Sequence, residues 1–423
     1  MDMKLPFPVL VTLIVSGLSC PAEDWPKFRG PAGNGHSPAS EVPLKWSAKS
    51  NVKWKVPIPG KGWSSPVLVS GRIYLTSAVA KGDDQDANGV DRELRALCLD
   101  ATSGKILWDT LIFRQDGSRA PRIHKKNSHA SPTPIVEDGR IYVHFGHMGT
   151  ACLDLEGKVV WRQEELAYPP LHGNGGTPVL FKDLLIYSAD ASRNPFIVAL
   201  DKKTGKVTWK KNRSKTPASR KFSFSTPTVV DVPGGPQLIS PASGAVFAYN
   251  PVNGEELWNV KYDQGYSVIP KPVMHGNTVF IGTGYDKPNV LGIRIDAKSM
   301  GDVTESHLEW KISKRAPHTP SMLIVDGLLF FISDGGIASC VEPKTGSIIW
   351  QERVAGPMSA SPVCCDGRIY FLDEKGVCNV IRAGRKFEIL AKNDIGERSL
   401  ASMAVGNGSI YLRTEKNLFR IGD

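Results

Sequence analysis

One pattern recurs along the chain and limits what it can fold into. It is a Ser/Thr-Pro start, an apolar stretch broken by a Gly turn, then a segment ending in Asp-x-x-x-Gly-x-x-x-Trp. The first copy reads SSPVLVSGRIYLTS and then ALCLDATSGKILW, closing at Trp108. The second, ASPTPIVEDGRIYVHFGHMGTACLDLEGKVVW, closes at Trp161, the third at Trp209 and the fourth at Trp258. Later copies are looser: a degraded fifth closes at Trp310, a clean sixth at Trp350, and a seventh has Phe387 in place of Trp. A last copy, LASMAVGNGSIYLRTEKNLFRIG, supplies three strand-like segments. Residues 51–56, NVKWKV, match a closing segment and carry Trp54, yet no repeat precedes them. The period is about 50 residues, which is the mark of repeated supersecondary units.

Each copy holds four short alternating segments separated by Gly, Asp or Asn turns, which predicts four antiparallel strands. A strand at 51–56 that completes the last copy would close a ring and leave no sheet edge exposed. The expected fold is all-β: an eight-bladed β-propeller of four-stranded antiparallel blades over residues 51–423, closed by the N-terminal strand. The Ser/Thr-Pro strand is expected innermost and the Trp strand outermost. Trp54, Trp108, Trp161, Trp209, Trp258, Trp310 and Trp350, seven of the ten tryptophans, share one repeat position and are expected in inter-blade packing. Cys98, Cys152, Cys340 and Cys378 also share a position and read as small apolar core residues.

Residues 9–18, VLVTLIVSGL, have the length of a signal-peptide core and are too short to span a membrane. Cleavage around Cys20-Pro21-Ala22 would make residues 1–22 a signal peptide and 23–50 an N-terminal extension. Gly17-Leu18-Ser19-Cys20 also reads as a degenerate lipoprotein box that would lipidate Cys20 and add a membrane anchor. Either reading places the protein in the periplasm or cell envelope. A hydrophobic fraction of 41% supports a folded core, and a single apolar run excludes a polytopic membrane protein. The net charge of +10 is concentrated in part in RIHKKN (Arg122 to Asn127) and WKKNRSKTPASRK (Trp209 to Lys221). In an exported monomer these read first as solvated loops, with contact to anionic polymers or lipid headgroups, not nucleic acid, as the alternative.

The signature in LDATSGKILW, ALDKKTGKVTW and VEPKTGSIIW resembles the pyrroloquinoline-quinone (PQQ) repeat family, and the resemblance runs from about residue 51 to 423. The opening DWPKFRGPAGNG resembles the start of secreted PQQ-like repeat proteins of planctomycete-type bacteria. Two branches share the repeat: quinoprotein alcohol dehydrogenases, and a non-enzymatic propeller lipoprotein of the outer-membrane barrel-assembly machinery. The motif is structural in both and does not choose between them. The dehydrogenase branch implies PQQ, a flat tricarboxylate, held with Ca²⁺ on the ring axis. That chemistry needs cations for the carboxylates, oxygen ligands for the metal and a carboxylate base.

Residues leading into the inner strands are expected at the axial mouth: Trp63, His129, Asn174, Tyr266 and His318. Loops joining second and third strands add Asp190 and Asp334 as bases if the protein is an enzyme. No Glu-Asn-Asp cluster stands out, and Cys364-Cys365 falls inside an inner strand, where it reads as packing and not as a lid over a quinone. Asp84-x-Asp86-x-Asn88-Gly89 matches the first half of a calcium loop, but Arg95 replaces the twelfth-position Glu. His124, His129, His144 and His147 lie within 24 residues and read as scattered hydrogen-bonding groups, with a metal site as the alternative. The sequence thus favours a non-catalytic binding or scaffold protein of the envelope, without a cofactor and with a protein or polymer partner. A PQQ- and calcium-dependent alcohol dehydrogenase is the alternative.

Overall fold

The computed structural model describes residues 23–169, 171–262, 265–297 and 299–422. Short alternating segments that cannot bury an apolar face alone pair in order into eight sheets, each beginning innermost and working outward. Blade 1 comprises Val67–Val69, Arg72–Ala80, Arg92–Asp100 and Ile106–Gln115. Blades 2 to 7 start at Ile135, Val179, Thr228, Val273, Leu323 and Val363. Blade 8 has Ala404–Gly406, Ser409–Arg413 and Asn417–Ile421, and its fourth strand is Val52–Pro57. That strand pairs antiparallel, Lys55 opposite Phe419, so the ring is closed by the N-terminal strand. The protein is an eight-bladed β-propeller.

The repeat tryptophans stand at the blade interfaces. Each indole N–H of Trp54, Trp108, Trp161, Trp209, Trp310 and Trp350 donates to a carbonyl in the turn before the next blade's outer strand, at 2.9–3.2 Å. The turn glycine is required there. Gly157 sits at φ 84°, and a Cβ on it would lie 2.6 Å from the Trp108 ring. Trp258 is the exception, donating to Gln237 of its own blade at 2.8 Å. The degraded fifth repeat explains this: it lacks the Asp-x-x-x-Gly turn, and its Gly301–Asp302 instead runs parallel to the outer strand of blade 4.

Around the axis the Ser or Thr that leads into each inner strand, blade 5 excepted, has a second task. The backbone N–H of Ser65 donates to the Thr133 hydroxyl, Thr133 to Thr177, and Thr177 to Thr226, each at 3.0 Å. Across the ring, Lys271 donates to Ser321, Ser321 to Ser361, and Ser361 to Ser402, at 2.9–3.0 Å. These bonds stitch neighbouring inner strands, where polar backbone would otherwise be buried unpaired. Blade 5 is the break, with Lys271 standing where the others carry a hydroxyl.

Residues 23–50, which the sequence leaves as an extension without a role, run across one end of this ring. Trp25 exchanges two backbone hydrogen bonds with Leu68 of blade 1, and Pro26 accepts from Val136 of blade 2. Arg29 is buried and donates to the carbonyls of Met322 (2.6 Å) and Pro362 (3.4 Å), in blades 6 and 7. The Lys271 ammonium donates to Gly33 at 2.5 Å, and His36–Ser37 add a parallel strand inside blade 7. The segment therefore plugs the axis, and the chain uses it to cover inner-strand edges.

Candidate functional site

The repeat brings one residue from every blade to a common cavity of about 590 Å³. Two positions before the hydroxyl ring stand Trp63, Ser131, Gly175, Phe224, Ile269, Thr319, Ser359 and Leu400, and all eight line it. Phe28 of the plug also lines it, so the plug closes one end. At the other end a strap formed by the connection from blade 1 to blade 2 reaches over. Its backbone pairs with His172, and Lys125 accepts from Arg398 at 3.2 Å. Lys126 spans the mouth, 2.8 Å from Glu374 and 3.4 Å from Asp334, and donates to the carbonyl of Met358 at 3.3 Å.

Of the mouth residues expected from sequence, Trp63, Tyr266 and His318 line the cavity. His129 does not. The second repeat offers two Ser/Thr-Pro units, Ser131-Pro132 and Thr133-Pro134, and the structure takes Thr133 into the hydroxyl ring, so Ser131 occupies the axial position. His129 lies half-buried near Arg92 and His147, and desolvation there holds its pKa down to about 3. Asn174 is also misplaced: it is one residue off the axial Gly175, and alternation turns it away to accept from Tyr168 at 3.0 Å. The sequence missed His124, Lys126, Asn127, His172, Arg220, Phe222 and Tyr285, which also line the cavity. RIHKKN, read there as a basic surface stretch, is the strap itself.

The two carboxylates fare differently. Asp190 is not at the axis; it is locked in a bidentate pair with Arg213, both contacts 2.8 Å, with both side chains 2% exposed. Asp334 does line the cavity, but donors already surround it. Oδ1 accepts the backbone N–H groups of His318 (2.9 Å) and Thr319 (3.0 Å), and Oδ2 accepts the Thr319 hydroxyl (2.8 Å) and faces Lys126.

The metal expectations are corrected on the same ground. In the blade 1 loop, Asp86 is paired with Lys61, Asp84 caps the Asp86 N–H at 2.9 Å, and Arg92 takes the carbonyls of Ala87 and Val90. Cations stand where a calcium loop needs oxygens around a vacant centre. His124 faces the cavity, apart from the other three; His129 and His144 both lie near His147, and His144 bonds Thr150 at 2.8 Å in the core. Among the described residues no group of three or more His, Cys, Asp or Glu could hold a metal ion. Cys364 and Cys365 are buried, unbridged thiols, both pushed up to about 12 by burial.

A family model described as outer membrane protein assembly factor BamB matches residues 92–352 and 302–386, more than half of the chain. The chain belongs to this family of PQQ-type repeat propellers. It is 30% identical over 146 residues to a quinoprotein ethanol dehydrogenase of Pseudomonas aeruginosa, a match over 31% of this chain and 23% of that one. The chain thus spans under a quarter of that relative's length. Among solved structures it resembles BamB from Moraxella catarrhalis, with a TM-score of 0.61 and 11% identity over 88% of this chain and 97% of that one. It equally resembles a europium-containing methanol dehydrogenase, with a TM-score of 0.64 and 11% identity over 93% and 90%. At that identity the likeness speaks for the fold, and function must be argued from the cavity.

The cavity can be tested against a quinone with calcium on its own donor set. A tricarboxylate needs cations not already spent, and calcium needs six to eight oxygens. Lys126 is spent on Glu374 and Asp334, which leaves the exposed Arg220, bonded to the neutral Tyr266 hydroxyl at 2.9 Å, as a single guanidinium against three carboxylates. Asp334, the one carboxylate among the described residues that line the cavity, is saturated by donors. The residues do not fit that pair.

Proposed function

We propose that this PQQ-repeat propeller is a non-catalytic binding protein of the cell envelope, and that its axial cavity takes a ligand without transforming it. The observation that carries the reading is Asp334. It is the only carboxylate among the described residues that line the cavity, and with four donors around it, it is neither a free base nor a metal ligand. The envelope location rests on the apolar leader at 9–18 and on the family's description; the leader and Cys20 lie outside the described residues. No helix among the described residues is long and apolar enough to cross a membrane.

The competing reading is a dehydrogenase, supported by the similarity to the Pseudomonas aeruginosa enzyme. A dye-linked oxidation assay with ethanol and longer alcohols, supplied with PQQ and Ca²⁺, separates the two. We expect no dye reduction above the protein-free rate. Turnover that requires both additions and disappears in Asp334→Asn would make the protein an enzyme.

A further inference from the structure

Six rings at the cavity form one unbroken arc. Centroid separations are 5.7 Å for His124 and His172, 5.6 Å for His172 and Phe222, and 5.3 Å for Phe222 and Tyr266. Tyr266 and Tyr285 follow at 5.7 Å, then Tyr285 and His318 at 5.4 Å. The arc runs from the strap through blades 3, 4 and 5 to blade 6, and every member lines the cavity. The repeat does not demand these rings: its own aromatic position is the outer-strand Trp. Nor is the arc as a whole core filling: Phe222 is buried, but Tyr285 is 54% exposed.

The backbone holds the arc at a cost. His172 adopts φ 62°, Ser267 beside Tyr266 φ 51°, and Asp286 beside Tyr285 φ 83°. Side chains other than glycine rarely accept that region, and such strain gathers where a surface is held in shape for a ligand. The wall from the strap and blades 6 and 7 is of another kind, with Asn127, Ser131, Thr319 and Ser359. Its one carboxylate and one ammonium, Asp334 and Lys126, face each other.

We propose that the cavity binds a short saccharide. The inference rests on the non-catalytic reading above. A sugar ring has an apolar C–H face, which packs on aromatic rings, and a hydroxyl edge, which takes hydrogen bonds from small polar side chains. A flat polyanion would need surplus cations, and a purely apolar ligand would leave the polar wall unpaired. A volume near 590 Å³ falls within the range of small-ligand sites, roughly 300–1,000 Å³.

Calorimetric titration of the full chain with maltose, cellobiose and diacetylchitobiose tests this, with PQQ plus Ca²⁺ as a parallel arm. At least one disaccharide is expected to bind at millimolar affinity or tighter. Tyr285→Ala, at a half-exposed position that should fold normally, is expected to weaken it about tenfold. Met300→Ala, far out on the surface at 78% exposure, should leave it unchanged. No heat from all three sugars overturns the saccharide proposal, and so does binding that Tyr285→Ala and Tyr266→Ala leave untouched. If the sugars fail and PQQ with Ca²⁺ also fails, the non-catalytic reading stands alone. Calcium-dependent PQQ binding would instead overturn that reading itself.

Discussion

Replacing Trp25 with Ala is expected to lower the free energy of unfolding by about 3–5 kcal/mol, the usual loss for a large aromatic taken from a closed core. Trp25 is fully buried in the cluster that joins blades 1, 7 and 8, against residues such as Leu68, Cys365 and Tyr411. Its surroundings leave little room to collapse. The chain turns back over the indole at Gly30, φ 80°, where a Cβ would meet the ring at 2.7 Å. Urea unfolding followed by circular dichroism and by the fluorescence of the remaining tryptophans measures the loss. A change below about 1 kcal/mol would mean that residues 23–50 decorate the ring without holding it.

Lys271→Met is expected to stabilise the protein at neutral pH by about 1–4 kcal/mol, the range seen when apolar residues replace buried charge. Lys271 is 5% exposed and has no carboxylate partner among its described contacts; its ammonium meets only the Gly33 carbonyl. Burial, reinforced by the charges of Arg29 and Lys27, lowers its pKa to about 7. In the unfolded chain the same group titrates near 10.4. Between those values the unfolded state binds more protons, so this residue's contribution to stability rises with pH, at up to about 1.4 kcal/mol per unit. Below about pH 7 the penalty for burying the charge is complete. The advantage of the Met variant should therefore be largest at and below neutral pH and shrink towards pH 10. A difference in stability that stays constant across that span would show that the ammonium is compensated.

Periodic features were legible in the sequence because a repeat announces itself many times. The eight blades and the closing strand at 51–56 followed from counting segments and from one segment without a repeat. Aperiodic features gave no such signal. Residues 23–50 occur once, so their passage across the axis could not be read. Lys126 meets Asp334 and Glu374 more than 200 positions away, which spacing along the chain does not encode. His129 was lost to a local ambiguity: two consecutive Ser/Thr-Pro units differ by two residues, which keeps the face of the strand and changes the depth. One signal was present and went unused. Lys271 breaks a position otherwise held by Ser or Thr, and it marks where the plug is fastened.

The central claim is that the ring kept its repeat while its axis lacks the groups a quinone and calcium require. Calorimetric titration of the chain with PQQ, with and without Ca²⁺, tests that most directly. The donors around Asp334 and the pairing of Lys126 predict no calcium-dependent heat. Calcium-dependent binding at micromolar affinity or tighter would contradict the account.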